Sequence, residues 1–408
     1  MKANRYPVTP LKLKKRPRKE VSVAVEDRLR EFYNGRFCVT SHEQRSKFKG
    51  NATWHHLDGD ASNSTFENII PLDAQKNCIT IEQFGRNQSV GLVGLYPNLL
   101  QVCAEEHYRI GNRSCAYGCW RLGAFLFSIM EADADFALEC ATNALECLIP
   151  YKDPTLATDI LARNVLPILD ELPSMLGSSW RTAMAKVACD ISDYQKLGGL
   201  YEDSRRFAEL AERLVRDIPD SEIKARILRA RLAYHTSGIC GSTGNLGRAQ
   251  WLLDKATEAL KTTGNTFGRP ANGVQQVTYK LSTPREAAAI LDTVTAELGA
   301  GHVESNLGKR FLDENVSLEP WVHVCEAEIR FVKGCVESDW LPFVKKGYEA
   351  IKQLRMSQCW AGYHWLVIDE FENKHLQFED HILWRCPADL NAFSGVANEV
   401  GKRLANCI

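Results

Sequence analysis

No two cysteines in the sequence are separated by two residues, although there are fourteen of them in 408 residues. That removes the spacing on which zinc ribbons and thioredoxin-like redox sites depend. The nearest approach is Cys115 and Cys119 in "CAYGCW", and the expectation is reduced cysteines packed as small hydrophobes. No apolar run approaches the roughly twenty residues needed to span a bilayer, the longest being "LGAFLFSIM". Behind the charges at the amino terminus there is no apolar signal core either, so the sequence predicts a cytoplasmic chain without membrane association. On that reading the N-x-[ST] sites at Asn51, Asn63 and Asn112 carry no glycan. The one glycine-rich stretch, "GICGSTGNLG", lacks both a Gly-Lys-Ser/Thr ending and a preceding strand, which points to an interhelical turn rather than a phosphate cradle.

What is present is the composition of an ordinary folded protein, 45% hydrophobic and 25% charged, long enough for two or three domains. Charge is balanced overall but not along the chain: residues 1 to 50 hold fourteen Lys or Arg against five Asp or Glu. The densest piece, "LKLKKRPRKE", is too polar and too interrupted by proline to pack, so residues 1–30 read as a basic flexible arm. A solvated tail, a phosphate-gripping arm and, in a eukaryotic source, a nuclear-import signal all fit it.

From about residue 96 to the end, 96–408, the chain reads as one large all-α domain, a helical-repeat-like array or an irregular bundle that senses, regulates or recruits. "RRFAELAERLV" puts Phe207, Leu210, Ala211 and Leu214 on one face, and "RAQWLLDKATEAL" does the same with Ala249, Leu252, Leu253, Ala256 and Leu260. "STPREAAAILDTVTAEL" predicts a helix with Thr283 as N-cap, Pro284 at the first position and Glu286 completing a capping box. Its buried stripe would be Ala287, Ile290, Leu291, Val294 and Leu298. "YQKLGGLYEDSRRFAELAERLV" resembles a degenerate tetratricopeptide unit. Most carboxy-terminal aromatics, Trp340, Tyr348, Trp360, Tyr363, Trp365 and Trp384, are expected in the core, with a partner groove as the alternative use.

The stretch "TWHHLDGDASNSTFENIIPLDAQKN", residues 53 to 77, carries the chemistry. Hydrolysing a phosphodiester takes a metal ion to neutralise charge on the phosphate and a base to deprotonate water. Adjacent histidines on a strand point to opposite faces, so His55 and His56 divide those tasks: one holds the ion and the other addresses the water. "LDGDASNST" supplies turn residues and "FENII" a short return strand. "PLDAQKNCITIEQF" is then expected as a helix with Pro71 in its first turn, on which Asn77 presents a hard oxygen to Mg²⁺. Asn68, buried before that helix, would use its amide to pin the loop.

Strand, loop, strand and helix carrying His-His, Asn and Asn resemble the HNH endonuclease family and its ββα-metal fold, over residues 37–80. "HHLDGD" followed by "ENIIPL" is the core of the match. The resemblance implies a nuclease domain at 31–95, with His55 as metal ligand, His56 as general base and Asn68 as the loop-holding asparagine. Asn77 stands where the family's last letter is usually histidine, which makes this an HNN-type variant in which asparagine ligates a single Mg²⁺ or Mn²⁺. The family's zinc-binding CxxC pairs are replaced by Cys38 with Ser41 and Asp73 with Lys76, so a structural zinc is not expected. Phe37, Trp54, Leu57, Phe66, Ile69 and Leu72 would hold the module instead. Lys14, Lys15, Arg16, Arg18, Arg45, Lys47 and Lys49 would grip nucleic acid, DNA in preference, through its phosphates. The resulting expectation is a small nuclease joined to a helical domain that binds a protein partner, an architecture suited to anti-phage defence. The alternative is a non-catalytic scaffold with a degenerate HNH module, active only within a complex.

Overall fold

Ser22 starts the first helix by accepting the Val25 N–H at its hydroxyl, and α1 (Val23–Phe32) carries the Glu26–Arg30 pair one turn apart at 2.5 Å. The computed structural model describes residues 20–33, 35, 36, 38, 53–57, 62–72, 95–109, 113–128, 134–148, 153–172, 176–261, 268–300, 319–353 and 387–408. Among them the chain is mostly helical, with a single two-stranded sheet near the amino terminus. No helix among the described residues is long and apolar enough to cross a membrane. The chain divides into two compact units: Met1–Tyr108 with Asn112–Leu148 and Thr155–Met175, and Arg109–Gly111 with Ile149–Pro154 and Leu176–Ile408.

In the first unit β1 (Thr53–His56) pairs antiparallel with β2 (Ile69–Leu72), Thr53 opposite Leu72 and His56 opposite Ile69. β2 therefore runs through Pro71, where the sequence suggested the first turn of a helix. The physical reason is local: proline's fixed φ also suits an extended chain, and its missing N–H is harmless at an edge. Its carbonyl is not wasted, because it accepts the Cys38 N–H at 3.0 Å. The segment expected to continue as a helix lies outside the described residues, as do residues 1–19 of the basic arm, whereas residues 23–32 form α1.

The hairpin is held by α1 from one side. Phe32 meets Phe66 and Tyr117 edge-on, with ring centroids 5.5 and 5.7 Å apart, and the Arg28 guanidinium covers the Phe66 ring at 3.9 Å. Leu57, Phe66, Ile69 and Leu72 are buried and Trp54 is half-buried, while Phe37 lies outside the described residues. α2 (Leu95–Arg109), α3 (Arg113–Ser128) and α4 (Ala134–Leu148) follow; α3 packs along α4, which buries Ala137, Leu138, Ala141, Ala144 and Leu145. Gly118 on α3 admits the Cys38 segment: a β-carbon there would stand 2.5 Å from Cys38 Sγ and 3.3 Å from the Tyr33 ring. Gly118→Ala should therefore cost about 1–3 kcal/mol in chemical denaturation. Gly247→Ala, in open space on a helix surface, should be neutral or stabilising by up to about 1 kcal/mol. Equal effects at the two positions would refute the close-packing argument.

α5 (Pro154–Ile160) passes into a π turn (Leu161–Val165) and then α6 (Leu166–Asp170). Pro167 explains the widened turn, since it has no N–H to close the regular ladder. The turn presents Asn164 to the buried Arg121, whose Nε donates to Asn164 Oδ1 at 2.7 Å. The rest of that guanidinium binds Tyr117 Oη at 3.0 Å and the Asp159 carboxylate.

The second unit is a succession of helix pairs: α7 (Ser178–Leu197) with α8 (Tyr201–Val215), α9 (Ile223–Ser242) with α10 (Leu246–Lys261), α11 (Gly268–Tyr279) with α12 (Pro284–Ala300), and α13 (Glu319–Val332) with α14 (Glu337–Gln353). Each pair touches the next. α7 and α8 approach closely through small polar residues: Ser192 and Ser204 each donate to the other's carbonyl at 2.7 Å. Gly199 (φ +76) and Gly244 (φ +81) take the left-handed conformation at the turns that close these pairs.

Two sequence expectations shift here. α9 runs through Ser242, so Gly238 and Gly241 of "GICGSTGNLG" are helical and only the tail of the stretch is a turn. Gly241 lets Tyr279 lie against the helix, its hydroxyl 2.5 Å from where a β-carbon would sit. The capping box before α12 is also replaced. Thr283 N–H and Oγ1 both donate to the Lys280 carbonyl, leaving Glu286 to pair with Lys280 Nζ at 3.0 Å. The stripe beneath is as expected for Ala287, Leu291 and Val294, which pack with Val274, Val277, Cys325 and Ile329, and Ile290 flanks them. Leu260 and Leu298 lie outside the described side chains, and of the six tryptophans and tyrosines expected in the carboxy-terminal core only Trp340 is described in full, buried against Phe331.

The last described helix, α15 (Pro387–Ala405), returns to the first pair. Phe393 stacks at 5.2 Å on Tyr194, and Gly401 sits over the Phe207 ring, which a β-carbon would meet at 2.9 Å. Arg206 donates to Asn398 Oδ1 across 192 residues of sequence.

Candidate functional site

The hairpin places His55 and His56 at consecutive positions of β1, opposite Ile70 and Ile69. Strand geometry sends the two rings to opposite faces. Both are buried to 8% exposure, so each is held by packing rather than left to rotate in solvent. His56 Nε2 lies 3.2 Å from Ser64 Oγ, a contact across the loop that fixes the ring plane.

Asn68 is 2% exposed and ends the short turn Phe66–Asn68 that leads into β2. Its Nδ2 donates to the Asn63 carbonyl at 2.8 Å, and its own carbonyl accepts the Leu57 N–H at 2.8 Å. The asparagine thus ties both ends of the loop that follows the histidines. Glu67 beside it lies 4.0 Å from the Arg28 guanidinium. Asn77 lies outside the described residues, as do Lys14, Lys15, Arg16, Arg18, Arg45, Lys47 and Lys49. His55, His56 and Asn68 are accordingly the candidate residues that the structure describes, all on the one hairpin.

Behind the hairpin sits a group of cysteines from separate elements. Cys119 Sγ–H and His107 Nε2 both meet the Cys38 carbonyl at 2.9 Å. Burial, reinforced by the neighbouring Cys115, pushes the Cys38 thiol well above its ordinary range, and burial does the same to Cys119. These are neutral packing thiols, not nucleophiles.

No family model, no curated protein and no solved structure matches this chain. The chemistry of the site therefore rests on its own residues.

Sequence reasoning missed Ser64, which looked like any turn residue, and it missed a second constellation altogether. In the second unit Cys189 and Asp193 on α7 meet His235 on α9. His235 Nδ1 contacts the Asp193 carboxylate, and its Nε2 faces Arg231 Nε at 3.2 Å. Arg231 also reaches Asp190 at 2.6 Å and Asp193 at 3.3 Å, and Lys196 Nζ stands 3.9 Å from Asp193. Burial dominates at His235 and holds its imidazole below the ordinary value, against the pull of Asp193. For Asp193 burial works upward, yet His235, Lys196 and Arg231 together keep the carboxyl below its usual range. The signal in the sequence was the one-turn spacing of Cys189 and Asp193, which means little until α9 brings a histidine 42 residues later to the same point.

Proposed function

We propose that the amino-terminal hairpin is the core of an HNH-type, metal-dependent endonuclease module that hydrolyses DNA phosphodiester bonds. The observation that carries this reading is the loop closure by Asn68, which ties the loop after His55 and His56 at Asn63 and at Leu57, where the strand bearing them ends. Hydrolysis needs a base and a cation whose positions do not drift, and a buried strand tied to its neighbour supplies such a support. His55 would hold one Mg²⁺ or Mn²⁺ together with Asn77, and the ion would supply charge neutralisation at the phosphate. His56, its ring fixed by Ser64, would take the proton from water. The basic residues of the amino-terminal stretch would track the phosphate backbone without reading bases. The paired helices of the second unit, a tetratricopeptide-like succession, would bind a regulatory or recruiting partner, as anti-phage defence requires of a nuclease that must stay silent until triggered.

The deciding experiment is incubation of the purified chain with supercoiled plasmid, single-stranded DNA and RNA, in Mg²⁺, in Mn²⁺ and in excess chelator. Nicking or linearisation of plasmid that the chelator abolishes supports the reading. Cleavage that persists in chelator, or cleavage of RNA alone, overturns it.

The low exposure of both histidines favours a second reading, a nucleic-acid-holding scaffold whose hairpin is structural. In that case plasmid is bound and never cut under any metal condition.

A further inference from the structure

Cys189 and Asp193 stand one turn apart on α7, and His235 reaches the same point from α9. One ligand atom from each lies within 4.8 Å of the other two, and all three residues are buried. We propose that these side chains form a zinc site tying α7 to α9, with water in the fourth position.

The donor set selects the metal. A thiolate beside an imidazole suits zinc and disfavours the hard ions suited to the hairpin. In a tetrahedral zinc site with bonds of about 2.0–2.3 Å, ligand atoms stand roughly 3.2–3.8 Å apart. The two helices bring these atoms within 4.8 Å of one another, and the direct His235–Asp193 contact would open to that spacing as the ion enters. Binding releases the Cys189 thiol proton, while the proton on His235 Nδ1 passes to Nε2 as Nδ1 becomes the ligand. Arg231 then turns its Nε away and stays on Asp190 through Nη2, at 2.6 Å.

Charge is consistent with one such ion. Asp190 and Asp193 are matched by Arg231 and Lys196, so zinc with a thiolate adds a single positive charge to a neutral cluster. The two cations act as outer partners that orient the carboxylates, and they set the affinity below that of an all-cysteine site. A cysteine nucleophile is the rival use of the same residues. It fails because Cys189 is fully buried, out of a substrate's reach, and Arg231 Nε already donates to His235 Nε2.

The test uses the full chain purified from zinc-replete cells. About one zinc per chain is expected by elemental analysis. Replacement by Co²⁺ should give the thiolate-to-cobalt charge-transfer absorption, present in Cys119→Ser and absent in Cys189→Ser. Because Cys189→Ser could lose its fold, His235→Gln is the second variant: it keeps an amide donor for Asp193 and should bind zinc more than about 100-fold more weakly. A purified chain with no zinc and no thiolate-to-cobalt absorption overturns the proposal. So does absorption that survives in folded Cys189→Ser, or zinc affinity unchanged in His235→Gln.

Discussion

Alanine at position 56 should slow plasmid cleavage by about 10²–10⁴-fold while leaving DNA binding unchanged, the range a positioned general base contributes. His56 is the residue whose ring is fixed across the loop by Ser64, so its removal would delete the proposed proton acceptor without touching the loop closure that Asn68 supplies. His55→Ala should act differently. Losing a ligand weakens the ion, so part of its activity should return at high Mn²⁺, whereas His56→Ala should not respond to metal. Ser64→Ala should fall between wild type and His56→Ala. The measurement is the initial nicking rate against metal concentration for all three variants, with DNA affinity determined in parallel. Equal rates for wild type and His56→Ala would remove His56 from the chemistry, and rescue of His56→Ala by metal would exchange the two histidine roles.

Arg121→Met should destabilise the first unit by about 3–5 kcal/mol, the effect of leaving one half of a buried charge pair behind. The guanidinium is nearly enclosed and serves three acceptors at once, Asn164, Tyr117 and Asp159. Methionine fills much the same volume and satisfies none of them. Asp159 is not wholly abandoned, because Arg163 Nε still reaches it at 2.8 Å from a half-exposed position, which places the expected loss toward 3 rather than 5 kcal/mol. For a unit of this size that corresponds to a fall in Tm of roughly 6–20 °C. Arg121→Lys restores charge but not the planar fork that meets three acceptors, so it should recover only part of the loss. Thermal melting followed by circular dichroism decides it: a change below about 1 kcal/mol in Arg121→Met would mean that the network carries little of the unit's stability.

The helices were legible because their stripes are: Phe207, Ala211 and Leu214 are buried where the 3.6-residue period puts them. The neighbouring Ala208 and Val215 join them, while Leu210 is only half-buried, because α8 has partners on both α7 and α9 and so buries a face wider than one stripe. The first short strand was legible from the turn residues that follow it; the return strand expected over "FENII" is displaced, because Phe66–Asn68 form a turn and the strand is Ile69–Leu72. Pro71 was misjudged because a proline suits the start of a helix and an extended edge equally, and the choice is made by Cys38, 33 residues earlier. The capping box before α12 failed for a similar reason: Lys280 offers Thr283 a nearer carbonyl and Glu286 an ammonium. The Cys189, Asp193 and His235 cluster and the buried Arg121 network were invisible. Each is assembled from residues that are ordinary in their own helix and acquire meaning only from a second helix.

The return of α15 to the first helix pair sets a timetable for synthesis. Tyr194 and Phe207 leave the ribosome long before Phe393 and Gly401, the partners that cover them. At roughly 5–20 residues per second, the 192-residue interval between Arg206 and Asn398 amounts to about 10–40 s. Throughout that wait the part of the nascent helix pair that α15 later covers faces water, a sticky surface of the kind that chaperones hold. Sparse expression at low temperature, or co-expression with such a chaperone, should yield more native protein than rapid expression does.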